Sequence, residues 1–220
     1  MKKVIVVNGS PRKQGNTAML LEKAISGVQS VGAEAELIHL YDLQFTGCKS
    51  CFACKRIGSK SYGKCAVRDD LQPLLNKIEQ ADALLLGSPI YFGTATGEMR
   101  SFLERLIFPY YVYDEVGTSL FPKKISVGFI YTMNVPESFI AEWGYNHYFS
   151  LTENMLAHVF GKAKSLYVTD TYQFSDYSQY VATRFNASEK AKRRHDVFPL
   201  DCEKAFQLGK HVVIGGDCLD

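Results

Sequence analysis

Four cysteines fall close together in this chain, Cys48, Cys51, Cys54 and Cys65, and a loop rich in glycine and polar residues, Gly9-Ser10-Pro11-Arg12-Lys13-Gln14-Gly15-Asn16-Thr17, follows a short apolar run near the N-terminus. Each could do chemistry. Three thiols at Cys-x-x-Cys-x-x-Cys spacing with a distal fourth can supply four thiolates to a [4Fe-4S] cluster or to structural zinc, or can stand as four reduced thiols. The spacing leaves these open. A glycine-bounded turn that feeds a helix collects free backbone N–H groups and the positive end of the helix dipole around one anion. Ser10, Asn16 and Thr17 add side-chain donors there, and Arg12 or Lys13 adds charge. Cys202 and Cys218 lie far along the chain and read as incidental.

What the first loop lacks narrows its anion. A nucleoside triphosphatase loop places Lys-Ser/Thr directly after the second glycine, where this chain has Asn16-Thr17. A dinucleotide loop needs Gly-x-Gly-x-x-Gly and an acidic residue near the end of the second strand, which here ends Ile38-His39-Leu40. A monophosphate is therefore the expected ligand. A second loop, Gly87-Ser88-Pro89-Ile90-Tyr91-Phe92-Gly93, leaves the third strand ahead of a helix from Gly97 to Ile107. The five histidines are scattered and form no nucleophile–base pair.

The elements that must position these loops follow from periodicity. Lys3 to Val7 is an apolar, largely β-branched run suited to a strand buried on both faces, and Met19, Leu20, Leu21, Ala24, Ile25 and Val28 recur at helical spacing after it, with Asn16 and Thr17 as capping side chains. Further strands are expected at 35–40, 83–87, 124–131 and 165–168, with helices at about 69–78, 97–107, 136–158 and 201–213, the last ended by Gly215-Gly216. Five β-α units in alternation demand right-handed crossovers and a parallel sheet covered on both sides. The expected fold class is α/β: a flavodoxin-like, doubly wound, five-stranded sheet of order 2-1-3-4-5, whose switch point lies where the two loops meet. The 220 residues read as a single domain, with a cysteine-rich loop at 47–66 and a C-terminal elaboration at about 169–220. Within that elaboration the run Lys190-Ala191-Lys192-Arg193-Arg194 reads as a solvated charged face in preference to a site for the extra phosphate of NADPH, and Arg100 and Arg105 on the third helix read as solvated or interface charges.

Composition excludes some partners. With 25 basic against 23 acidic residues there is no bulk electrostatic case for nucleic acid or a membrane surface, and no stretch approaches the ~20 apolar residues of a membrane span. The N-terminal apolar run stops after Val7, too soon for an export signal, so a cytoplasmic protein is expected.

Together the two loops carry a resemblance. Gly-Ser-x-Arg with Asn-Thr after the first strand, and Ser-Pro-x-Tyr after the third, resemble the NADPH-dependent FMN reductase family over about residues 3 to 160. That resemblance implies that Ser10, Arg12, Asn16 and Thr17 hold the phosphate of FMN, that Pro89, Ile90, Tyr91, Phe92 and Gly93 line the isoalloxazine ring, and that Thr132, Met133 and Asn134 form a third flavin loop. It further implies NAD(P)H as electron donor, a small acceptor such as a quinone or free flavin, and a homodimer in which Phe108 to Tyr113 could cover the flavin of the partner. The flavin would carry the chemistry, with no side chain acting as acid or base. The cysteine loop resembles that of the iron-sulfur flavoproteins, with a longer gap before Cys65, and this implies an alternative role as an electron carrier between proteins.

Overall fold

A computed structural model describes residues 1–215; Cys218 and Gly216 lie outside the described residues. The strands are β1 (Lys3–Asn8), β2 (Glu34–His39), β3 (Ala83–Tyr91), β4 (Thr94–Ala95), β5 (Ile125–Thr132) and β6 (Gly161–Val168). The helices are α1 (Asn16–Ser30), α2 (Leu71–Gln80), α3 (Gly97–Ile107), α4 (Ser138–Glu142), α5 (Tyr145–Phe160), α6 (Ala187–Asp196) and α7 (Phe198–Ile214). Five parallel strands run in the order β2-β1-β3-β5-β6, the 2-1-3-4-5 order expected. The sixth strand, β4, is two residues long and pairs antiparallel with the end of β3.

Because neighbouring strand residues point to opposite faces, each apolar run feeds two cores. Val4 and Val6 of β1, with Ala83 and Leu85 of β3, pack under α1 and α7. Ile5 and Val7, with Leu84 and Leu86, pack under α2, α3 and α5. This division is why β1 and β3 read as unbroken apolar runs rather than as alternating ones. On the first face α1 and α7 lie backbone to backbone: a Cβ placed on Gly27 would fall 2.0 Å from the Phe206 carbonyl oxygen, and one on Gly209 1.9 Å from that of Ala24.

Several boundaries differ from the sequence reading. β3 continues through Ser88 and Pro89 to Tyr91, because β5 keeps pairing with it as far as Pro89 opposite Thr132. β6 begins at Gly161, four residues early, since Lys162, Ala163 and Lys164 pair with β5 although they lack the strand pattern. The helix expected over 136–158 is two helices, broken at Gly144 (φ 71°), and the last helix starts at Phe198. The segment 169–199 contains α6, which Asn186 caps by accepting from the backbone N–H groups of Ser188 and Glu189.

Candidate functional site

The carboxyl ends of β1, β3 and β5 open on one cleft of about 900 Å³. Its walls carry Ser10, Arg12, Asn16 and Thr17 from the loop and helix after β1, Pro89, Ile90 and Tyr91 from β3, and Thr132, Met133 and Asn134 leaving β5. Buried hydrogen bonds hold the three loops together. Thr96 donates its hydroxyl to the Gly9 carbonyl (2.7 Å) and its N–H to Ser88 Oγ (3.1 Å), while the hydroxyls of Thr17 and Thr132 pair at 2.8 Å.

Two expected ring contacts stand apart. Phe92 and Gly93 are not in the cleft wall; they form the two-residue turn between Tyr91 and Thr94, which pair across it. Both have left-handed backbone (φ 51° and 83°), as a tight hairpin requires, and the Phe92 side chain is fully exposed.

The first loop does not cap α1 in the way expected. Asn16 and Thr17 lie inside the first turn of α1 rather than capping it; the cap position is Gly15, no side chain accepts from the turn, and it contains no acidic residue. The end of the helix therefore keeps uncompensated N–H groups and its full positive dipole at the wall of the cleft, the arrangement that receives an anion. Meanwhile Arg12 Nη1 donates to the Gln173 carbonyl (2.8 Å), Asn16 Nδ2 to the Tyr172 carbonyl (2.8 Å), and Asn134 Nδ2 to Gln173 Oε1 (2.6 Å). A strap at 171–173 is thus laced across the cleft, and Thr171, Tyr172, Gln173, Phe174 and Tyr180 line it. These residues belong to the segment read as elaboration. The tyrosine density of that segment was the one available signal, and the stacked Phe174 and Tyr180 rings (4.0 Å between centroids) are part of what it builds.

The basic run is a solvated face only in part: Lys192 is exposed, but the other three basic residues have partners within the chain. Lys190 is 3% exposed; its ammonium group donates to the Asn134 carbonyl and Oδ1 (2.6 Å each) and pairs with Asp170. Burial pushes the Lys190 pKa down and Asp170 opposes it. Arg193 pairs with Asp201 (2.7 Å), and Arg194 reaches into the cleft, donating to Asn16 Oδ1 (3.1 Å).

Arg105 is likewise buried, 1% exposed, where a solvated or interface charge was expected. It joins both ends of the cysteine loop to α3, donating to the Thr46 carbonyl (3.0 Å), the Val67 carbonyl (3.2 Å), both Asp69 carboxylate oxygens (2.5 and 2.9 Å) and Cys65 Sγ (3.3 Å). Arg100 is exposed as expected and donates to Thr94 Oγ1 (3.0 Å).

All four loop cysteines line one small apolar cavity of about 20 Å³ beside Phe108 and Pro109. Cys48 and Cys51 are exposed, Cys65 half-buried and Cys54 buried, and burial raises the Cys54 thiol pKa. No three His, Cys, Asp or Glu side chains among the described residues gather as a single-ion site. The four residues share a cavity lining without the geometry of a single-ion site, in which zinc needs all four sulfurs within about 2.3 Å of itself. In donor chemistry the set fits a multi-iron cluster; in volume the cavity holds about one water. The exposed 48–52 segment that borders the cavity has left-handed backbone at Ser50 and Phe52 (φ 51° and 54°). Within the chain, the aromatic segment after α3 packs on this loop: Phe52 meets Phe108 edge-on at 6.2 Å, and the Lys55 ammonium lies 4.4 Å from the Phe108 ring while donating to the Phe108 and Tyr111 carbonyls.

Residues 2–132 match the sequence model of a family described as NADPH-dependent FMN reductase. The chain belongs to that family. Among curated relatives, an iron-sulfur flavoprotein of Archaeoglobus fulgidus is 41% identical over 103 residues (47% of this chain, 48% of that one), and one of Methanocaldococcus jannaschii is 38% identical over 103 residues (47% and 51%). The chain therefore matches about half the length of these relatives. Among solved structures, the NAD(P)H:quinone oxidoreductase from Methanothermobacter marburgensis superposes with a TM-score of 0.67 at 14% identity, covering 96% of each chain. At that identity the likeness is one of fold. The NADPH-dependent FMN reductase match ends at β5, so the strap, α6 and Arg194 lie in a part of the chain that it does not reach.

Proposed function

We propose that this member of the family is an FMN-dependent NAD(P)H oxidoreductase that delivers electrons to a small acceptor such as a quinone or a free flavin. The observation that carries the reading is the uncapped N-terminus of α1 opening on a 900 Å³ cleft together with the β3 and β5 loop ends. The phosphate of FMN would sit at the first turn of α1, receiving N–H groups from Asn16 onward and the hydroxyl of Ser10. Pro89, Ile90 and Tyr91 on one side and Thr132, Met133 and Asn134 on the other would hold the planar ring, largely by backbone. Bound FMN supplies hydride acceptance and electron transfer, which no side chain of the chain can supply. The task of the protein is to orient the ring, exclude water with the 171–173 strap, and leave the Tyr91 side open to donor and acceptor.

Anaerobic titration of apoprotein with FMN, followed by NADPH or NADH, tests this. The expected result is quenching of flavin fluorescence to a one-to-one endpoint, then bleaching of the bound flavin by the nicotinamide. Absence of binding, or a bound flavin that neither nucleotide bleaches, overturns it.

A second reading, electron carriage between proteins through FMN and a cysteine-bound cluster, is favoured by the four thiols on one cavity and by the names of the two relatives. Iron and sulfide analysis of anaerobically purified protein distinguishes them: stoichiometric amounts of both support the carrier, and a yellow protein free of iron supports the reductase.

A further inference from the structure

We infer that Arg194 is a specificity residue of the cofactor cleft, reading the phosphate monoester and so selecting FMN over riboflavin. The inference rests on the FMN reading above. It starts from how the side chains expected to meet the phosphate are held: Arg12 is exposed and gives one N–H to the Gln173 carbonyl, and Asn16 bonds the Tyr172 carbonyl and Arg194 itself. Lys13 is drawn away to Asp42 at 2.7 Å. Arg194 is a second guanidinium in the cleft wall, and it is bonded directly to Asn16 in the first turn of α1.

Its geometry is that of a group already set in place. The guanidinium lies 3.9 Å from the centroid of the Phe198 ring, and single N–H groups go to Asn16 Oδ1 (3.1 Å) and Met19 Sδ (3.1 Å). A guanidinium carries five N–H donors, so three remain uncommitted by these contacts, enough for a two-point hold on a phosphate. Among the described residues no carboxylate pairs with Arg194, whereas Arg193 beside it pairs with Asp201 and Lys190 with Asp170. An arginine held by a ring, an amide oxygen and a thioether sulfur keeps its charge uncompensated for a ligand. Asn16 Oδ1 also fixes the distance between this charge and the end of the helix, so both act on one anion.

Arg194→Gln tests the inference by two affinities. Apoprotein is titrated with FMN and with riboflavin, each followed by flavin fluorescence, for wild type, Arg194→Gln and Arg194→Lys. The expected result is FMN binding weakened about 10- to 100-fold in Arg194→Gln, the loss of a charge-assisted hydrogen-bond pair, with riboflavin within twofold of wild type. Arg194→Lys, which keeps the charge but not the fork, should fall between, and it serves where Arg194→Gln does not fold. Equal weakening of FMN and riboflavin would make Arg194 a packing residue and overturn the inference, as would FMN binding left unchanged. Failure of wild type to bind FMN at all would instead overturn the reading on which the inference rests.

Discussion

Replacing Arg105 with Met removes the group that ties the cysteine loop to α3, and its cost can be worked from the contacts. The side chain is 1% exposed and satisfies two backbone carbonyls, one thiol and both oxygens of Asp69, whose own side chain is 16% exposed. Methionine fills similar volume but donates nothing, leaving a largely buried carboxylate without its cation. Breaking a buried pair from one side costs about 3–5 kcal/mol, most of it from the charge left behind. For a chain of this length each kcal/mol lowers Tm by roughly 2–4 °C, so the expected fall is roughly 6–20 °C. Urea unfolding followed by circular dichroism gives the free energy, and limited proteolysis should cut first within 47–66. The double variant Arg105→Met with Asp69→Leu removes both charges and should be less destabilised than the sum of the singles. A single variant within about 1 kcal/mol of wild type, or strict additivity in the double, would refute the assignment of the loop's anchorage to this pair.

Acid should probe the same pair. Burial pushes the Asp69 pKa up, but the hydrogen bonds and charge of Arg105 outweigh it and hold the carboxyl below its ordinary value. The contribution is therefore complete above the unfolded pKa of ~3.9 and lost as pH falls through the lower folded value, so wild-type urea midpoints should drop below about pH 4 more steeply than those of the Arg105→Met variant. Gly209→Ala should destabilise by about 1–3 kcal/mol although alanine is the better helix former by ~1 kcal/mol, because the new methyl would lie 1.9 Å from the Ala24 oxygen and force α1 and α7 apart; a gain in urea midpoint would contradict this. Phe92→Asn should raise the thermal midpoint, since left-handed backbone costs a bulky residue about 1–2 kcal/mol and asparagine less. An unchanged or lower midpoint would mean that the exposed ring makes a stabilising contact.

What could be read from the chain and what could not divide along sequence separation. The strand order and the three loop ends were legible because each depends on local pattern: an apolar run such as Val4 to Val7, then a turn, then a helix with its own periodicity. Ten of the twelve expected flavin contacts meet in the cleft wall for that reason, and Phe92 and Gly93 depart from it because a short antiparallel pairing, Tyr91 with Thr94, turns them outward. Arg105, Lys190 and Arg194 were misread together, and by one cause. Charge in a helix predicts exposure unless a counter-group arrives from elsewhere, and here the partners come from 36 to 178 residues away: Asp69 for Arg105, Asn134 for Lys190, Asn16 for Arg194. Polar partners at such distances leave no periodic trace, since a hydrogen bond needs one atom in place and not a repeating face. The segment 169–199 illustrates the consequence: its tyrosines and basic residues carry little pattern of their own, yet Arg12, Asn16 and Asn134 reach out to it. Under the proposed reading the backbone of α1, the Ser10 hydroxyl and the guanidinium of Arg194 share the load of a phosphate with the N–H groups that Arg12 keeps beyond its one bond to the strap. The comparison of FMN with riboflavin measures how the load is shared, because only the phosphate differs between them.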